Sequence, residues 1–261
     1  MRAYASNRIG RLTLASVPSV ATNLVPSLLP RFVRDRPGIE IEILDIDSRN
    51  VRIVVETRQA DLGIAGRPQS STPVIFEPLF RDRFKVVCSS ESDLAIAGKP
   101  VHWSELEGEN LILNDASEKI ETSTYRALAE RASIQVWNVT PLLALAKAGF
   151  GTTLLPASAV VHLPDGVVAL DLAVDEVCRM VGLLRHGDSV PSPLAFAFRE
   201  LVLDELPKLA RTLGLQVVSP WPADSVTTFM PRNRNRRFTG NGGHRGASQG
   251  RACIVRLTGG R

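Results

Sequence analysis

The chain has 261 residues, 44% of them hydrophobic, enough for a sizeable core in one or two domains. No apolar run approaches the roughly 20 residues that span a bilayer, and three widely spaced cysteines form neither a CxxC pair nor a metal-binding pattern. The net charge of +4 is unevenly placed: residues 218–261 hold eight Arg and one Asp, a charge of +7, which leaves the rest at −3.

Residues 1–9 are short and polar and read as a linker or the remnant of an upstream helix. No apolar stretch precedes a cleavage site, so no secretory signal is expected, and the chain is expected in the cytoplasm with reduced thiols. Residues 12–15 form a short apolar run, a strand. A small polar turn, Ser16 to Ser19, follows. Val20, Leu24, Leu28 and Phe32 then recur at helical spacing, until Pro37 and Gly38 stop the helix. Residues 39–44 alternate as a second strand. Ser48 reads as the N-cap of a helix through Val51, Val54 and Val55, and residues 61–65 form the third strand. Two consecutive crossover units imply a parallel sheet with helices on its faces.

Such sheets bind ligands outside the carboxyl ends of their strands. Ser16 to Ser19 lie at one such end, and Gly66 with Arg67 at another. A helix start with unpaired N–H groups suits a carboxylate or similar anion. The same serines can simply cap the helix.

Residues 84–88 read as a strand, with Cys88 as a small buried side chain, and 94–100 as a loop or short turn. A second, smaller α/β pattern begins near Val101. It has a helical turn at 103–106, strands at 110–113 and 134–137, and helical spacing at Tyr125, Leu128 and Ala129. Thr140 and Pro141 read as N-cap and first residue of a helix that ends at Gly149. Strands follow at 151–156, 167–172 and 177–184. One amphipathic helix runs from Leu194 to about Leu213, with Pro207 expected to kink or end it. From Val218 the Arg- and Gly-rich tail lacks apolar periodicity and is expected to be disordered.

The four histidines are scattered, and there is no GxSxG, HExxH or GxGxxG. No catalytic residue, metal ligand or cofactor is assigned.

Several segments resemble the effector-binding domain of LysR-type transcriptional regulators. In order they are GRLTL (10–14), LVPSLLPRF (24–32), RPGIEI (36–41), ADLGI (60–64), PLF (78–80), WSEL (103–106), LAKAGFG (145–151) and LPAS (155–158). The resemblance covers about residues 10–216. It implies an α/β fold of two Rossmann-like subdomains joined by two crossover strands, like type-II periplasmic binding proteins. The implied division puts 10–87 and 187–217 in subdomain I and 88–186 in subdomain II, with crossings near Cys88 and near Leu184 and Arg185. A small anionic effector would sit in the cleft, lined by Ser16, Pro18, Ser19, Gly66, Arg67, Asn114, Ser117 and Thr140. Arg67 could pair bidentately with a carboxylate, or stand as an exposed rim charge. The domain would dimerise or form a higher oligomer, using the first helix with Leu29 and Val33 exposed on it. DNA would be bound only through an N-terminal winged helix-turn-helix missing from this sequence. The sequence departs from the family pattern at Arg58, where a Gly is common, and at ESDLA (91–95), where His-Pro-Leu-Ala is common. Two other readings fit the fold: a solute-binding protein of a transport system, and a stand-alone effector domain that pairs with a full-length regulator.

Overall fold

The computed structural model describes residues 10–69, 72–174 and 177–218. The expectations for residues 1–9 and for the tail beyond Val218 lie outside the described residues.

Strand β1 (Gly10–Ser16) is buried from Leu12 onward on both faces, which suits its nearly continuous apolar sequence. Helices α1 (Pro18–Asn23) and α2 (Val25–Arg34) replace the single helix read from the periodicity. The break falls at Leu24 because Pro26 has no N–H with which to continue the ladder. The apolar stripe nevertheless survives it, since Val20, Leu24, Leu28 and Phe32 are all buried. Leu29 packs partly against the core, against the exposure expected of it, whereas Val33 is exposed.

Strand β2 (Ile39–Asp45) pairs parallel with β1 over its whole length, and β3 (Leu62–Gly66) pairs parallel with β1 on the other side. The sequence-predicted βαβαβ order is therefore the observed one. Helix α3 (Ser48–Glu56) crosses between β2 and β3. Its N-cap is Asp47 and not Ser48: the Asp47 carboxylate accepts from the Asn50 backbone N–H at 2.9 Å. Gly63 lets α3 lie close on β3, since a Cβ there would meet Val51 Cγ1 at 2.8 Å.

Strand β4 (Val74–Ser89) is much longer than the segment 84–88 read from the sequence. Its first part, Val74 to Arg83, pairs antiparallel with β9 (Cys178–His186); its last part pairs antiparallel with β7 (Thr153–Pro156) and β8 (Val167–Asp171). One strand thus serves both sheets, changing partners between Arg83 and Phe84. All of β9 pairs within the first sheet, with β4 on one side and β3 on the other. With Leu215–Val217 as β10, the first sheet runs β10-β4-β9-β3-β1-β2.

The second lobe is built on the end of β4. Alternate β4 residues point to opposite faces. Val86 and Cys88 join Leu106, Tyr125 and Leu154 in one core, while Val87 joins Ile112, Leu142 and Leu155 in another. Cys88 is buried, as expected of a small apolar side chain. Helix α4 (Asp93–Ala97) stands where a loop was read. Ser92 caps its start by accepting from the Ala95 N–H, and Gly98 ends it in the left-handed conformation, φ 60°. A 3-10 turn at Trp103–Gly108 leads to β5 (Ile112–Leu113). Helix α5 (Ser123–Ala129), β6 (Ile134–Gln135) and α6 (Val139–Lys147) follow, β6 pairing parallel with β5. Asn138, not Thr140, caps α6: its Oδ1 accepts from the Thr140 N–H at 2.9 Å.

Helix α7 (Pro193–Leu213) returns the chain to the first lobe, and β10 (Leu215–Val217) closes it against β4. Of the kink or end expected at Pro207, the helix does not end there but continues to Leu213. Leu206, Ala210 and Leu213 extend the buried stripe of Phe198 and Val202, and that packing offsets the cost of the proline, about 3 kcal/mol. Phe32 meets Phe198 edge to face at 5.2 Å, joining α2 to α7.

Candidate functional site

The candidate residues from the sequence divide between two cavities and two buried positions. A cavity of about 560 Å³ is lined by Pro18 and Ser19 from α1, Asn114 after β5, and Thr140 in the first turn of α6. A second, of about 880 Å³, is lined by Gly66 and Arg67 after β3. Ser16 is fully buried behind the first, and its hydroxyl has no hydrogen-bond partner among the described residues. Its carbonyl accepts from the Ile46 N–H at 3.1 Å, which ties the ends of β1 and β2 together. Ser117 is also buried. It forms a closed turn with Asn114, whose Oδ1 accepts from the Ser117 N–H at 3.0 Å and whose carbonyl accepts from the Ser117 hydroxyl at 2.9 Å. Neither serine reaches a cavity, so the eight residues do not line one surface.

Asn114 is also engaged structurally. Its amide donates to Thr153 Oγ1 at 2.9 Å and to the Leu154 carbonyl at 3.0 Å, joining β5 to β7. Ser19 accepts from Arg179 Nη2 at 2.7 Å, which leaves its hydroxyl hydrogen available to a ligand. Thr140 is exposed in the cavity wall, its backbone N–H already taken by Asn138. Trp137 stands at the same wall, 66% exposed, with Leu142, Leu143 and Leu155 supplying apolar surface.

Arg179 lines both cavities and was missed in the sequence. It is buried and donates to Asp82 Oδ2 from Nε at 3.2 Å and from Nη2 at 2.9 Å. Asp82 is fully buried on β4 and also accepts from the Ser158 hydroxyl at 2.6 Å and the Ser158 N–H at 3.0 Å. Asn23 of α1 donates to the Ser158 carbonyl at 2.7 Å. Strands β4 and β9, α1 and the turn after β7 are thus joined by one buried polar network. A buried ion pair is tolerated only when its remaining hydrogen-bonding capacity is filled, and here most of it is. The sequence signal was a lone Arg inside the apolar strand 177–184 and an Asp between Arg81 and Arg83.

The two cavities differ in charge. The first carries Asp45, Asp47 and Asp115, while its Arg179 is matched by Asp82. Burial raises the pKa of Asp45 above its ordinary value. Burial, and then the nearby Asp47, raise that of Asp115, with Lys119 and Arg179 acting the other way. The second cavity carries Arg49, Arg52, Arg67, Lys119 and Arg179 against one carboxylate, Glu121. Among the described residues no group of three or more His, Cys, Asp or Glu is placed to hold a metal ion.

Two α/β lobes sharing crossing strands, with polar cavities at the ends of their parallel strands, define a ligand-binding domain. A family profile described as the LysR substrate binding domain matches residues 5–207, and the chain belongs to this family of effector-binding domains of LysR-type regulators. It is similar to the uncharacterized HTH-type transcriptional regulator YbhD of Escherichia coli (strain K12), with 27% identity over 201 residues, 75% of this chain. The chain spans 63% of that relative's length. Its fold is that of the effector binding domain of QuiR in complex with shikimate (TM-score 0.63, 18% identity, 76% of this chain and 98% of that one). It also matches the BenM effector binding domain with its effector benzoate (TM-score 0.64, 18% identity, 82% of this chain and 96% of that one). The family favours a regulator domain over a transport protein. Among the described residues no helix is long and apolar enough to cross a membrane.

Proposed function

We propose that this chain senses a small anionic molecule between its lobes and catalyses nothing. The supporting observation is the cavity lined by Ser19 from one lobe and Thr140 from the other, with Trp137 and three leucines as an apolar wall. Ser19 and Thr140 would orient the ligand body, with Ser16, Pro18, Asn114 and Ser117 shaping the surface behind them. The anionic group would be directed toward Gly66 and Arg67, since Asp45, Asp47 and Asp115 make the Ser19 side unfavourable to it. The shikimate and benzoate of the structural neighbours agree with this ligand class. Among the described residues no nucleophile–base hydrogen bond accompanies these groups, and the reading is therefore of a site that holds a ligand and does not transform it.

The pairing of β4 and β9 supports a division into 10–83 with 178–217 and 84–177. Closure of the two parts on the ligand would be the signal, limited by the ligand's differential affinity for the closed form. DNA contact would belong to an N-terminal winged helix-turn-helix outside the matched residues. The domain would pair symmetrically through α2, where Val33 is exposed, and through a helix of the second lobe of the partner copy. A thermal-shift screen of small carboxylates and other metabolites tests the site. Hits should stabilise the parent chain and lose most of their effect in Thr140→Val and Arg67→Gln. Equal stabilisation of parent and variants would refute the assignment, and turnover of a hit would refute binding without catalysis.

A further inference from the structure

The larger cavity carries an unbalanced charge. Of its five cations, Arg52 pairs with Glu56 at 2.5 Å and Arg179 with Asp82 at 2.9 Å. Arg49, Arg67 and Lys119 have no carboxylate within ion-pair distance among the described residues. The one acid in the wall, Glu121, accepts from Gln69 at 3.3 Å. Two positive charges are therefore in excess. They also come from both lobes: Arg49 from the first turn of α3, Arg67 from the end of β3, and Lys119 from the turn Ser117–Lys119 in the second.

Two features equip this cavity to hold an anion. The Arg67 guanidinium lies over the Phe76 ring at 5.2 Å, and the Arg67 N–H donates to the Met180 carbonyl at 3.1 Å, which steadies the segment. Ser48 Oγ accepts from the Gly66 N–H at 3.4 Å, so its hydroxyl hydrogen is free to donate into the cavity.

We propose that this cavity takes a small dianion, a phosphate monoester or a dicarboxylate, held between Arg49 and Arg67 of one lobe and Lys119 of the other. The proposal rests on the reading that the cleft binds an anionic effector, and names its charge and its anchors. Like charges on the two lobes oppose closure while the cavity is empty. A dianion reverses the sign of that interaction, which makes this cavity the electrostatic part of the switch. A monoanion would leave one positive charge unmatched. The three carboxylates of the smaller cavity keep the dianion out of it.

The test is the melting temperature of the whole chain at pH 8, at fixed ionic strength, in phosphate, succinate, acetate or chloride. Phosphate or succinate should raise it above the acetate and chloride values. Apparent affinity for that dianion should fall about tenfold in Arg67→Gln and in Lys119→Gln, the loss of one charged hydrogen bond. Lys208→Gln, an exposed cation on α7 outside both cavities, should keep it. Far-ultraviolet circular dichroism confirms that each variant is folded, and Arg49→Gln gives a further test if either of the others is not. Acetate matching the dianions, or full retention in Lys119→Gln, would overturn the proposal. Loss in Thr140→Val with retention in Lys119→Gln would put the anion in the smaller cavity, ending this inference and leaving the sensing function standing. A parent chain indifferent to both dianions but stabilised by a singly charged anion would do the same.

Discussion

At the scale of single residues, one backbone conformation and two carboxylates carry testable consequences. Arg58 departs from the family's glycine, and it has φ 60°, in the left-handed region. A side chain there carries a strain that glycine does not. Arg58→Gly should therefore stabilise the domain by about 0.5–1 kcal/mol, read as a higher urea midpoint; an unchanged or lower midpoint would contradict this. Asp82→Asn should act the other way. It leaves Arg179 buried without its counter-charge, at a cost of about 3–5 kcal/mol, and Asp82→Leu combined with Arg179→Met should recover part of the loss. Asp115 gives a pH signature. Its folded-state pKa is raised, so the native chain holds this proton more tightly than the unfolded chain, and stability falls as pH rises through that window. Asp115→Asn should stabilise at neutral pH, with the gain vanishing below about pH 4. A gain that persisted at low pH would show that the carboxylate charge is not its cause. None of these three roles stood out in the sequence except Arg58, where the departure from the family pattern marked the position.

At the scale of elements, local pattern was a good guide to existence and a poor one to ends. The strands around Leu12, Ile41 and Ile64, the long helix through Phe198, and the helices near Tyr125 and Leu142 were legible because their apolar spacing matches the burial. The caps were not. Asp47 and Asn138 each precede a residue that is itself a good cap, Ser48 and, two positions on, Thr140. Local sequence leaves the choice open, and tertiary packing fixes it. Asp47→Ala should cost about 1 kcal/mol and Ser48→Ala less, a ranking that equilibrium unfolding of the two variants can check. Strand β4 was underestimated because Pro78 and the charged residues 81–83 interrupt its apolar run. Of those charges Arg81 and Arg83 are exposed, and only Asp82 points into the buried network, which no apolar periodicity announces.

At the scale of the whole molecule, the resemblance carried the two-lobed plan, and the pairing of β4 and β9 is the basis of the division proposed for the lobes. The candidate site was legible in its location, strand ends facing a cleft, because that location follows from βαβ topology. Its partition was not, because Arg179 and Asp82 are distant in sequence and separate the cavities only once both strands cross. The central claim is that a small molecule binds between the lobes. It is tested most directly by backbone amide NMR of the labelled chain, titrated with the strongest thermal-shift hit. The largest shifts should cluster at residues 18–19, 66–67, 114–119 and 138–140, on both lobes at once. Shifts confined to one lobe, or centred on the outer faces of α2 and α7, would contradict it.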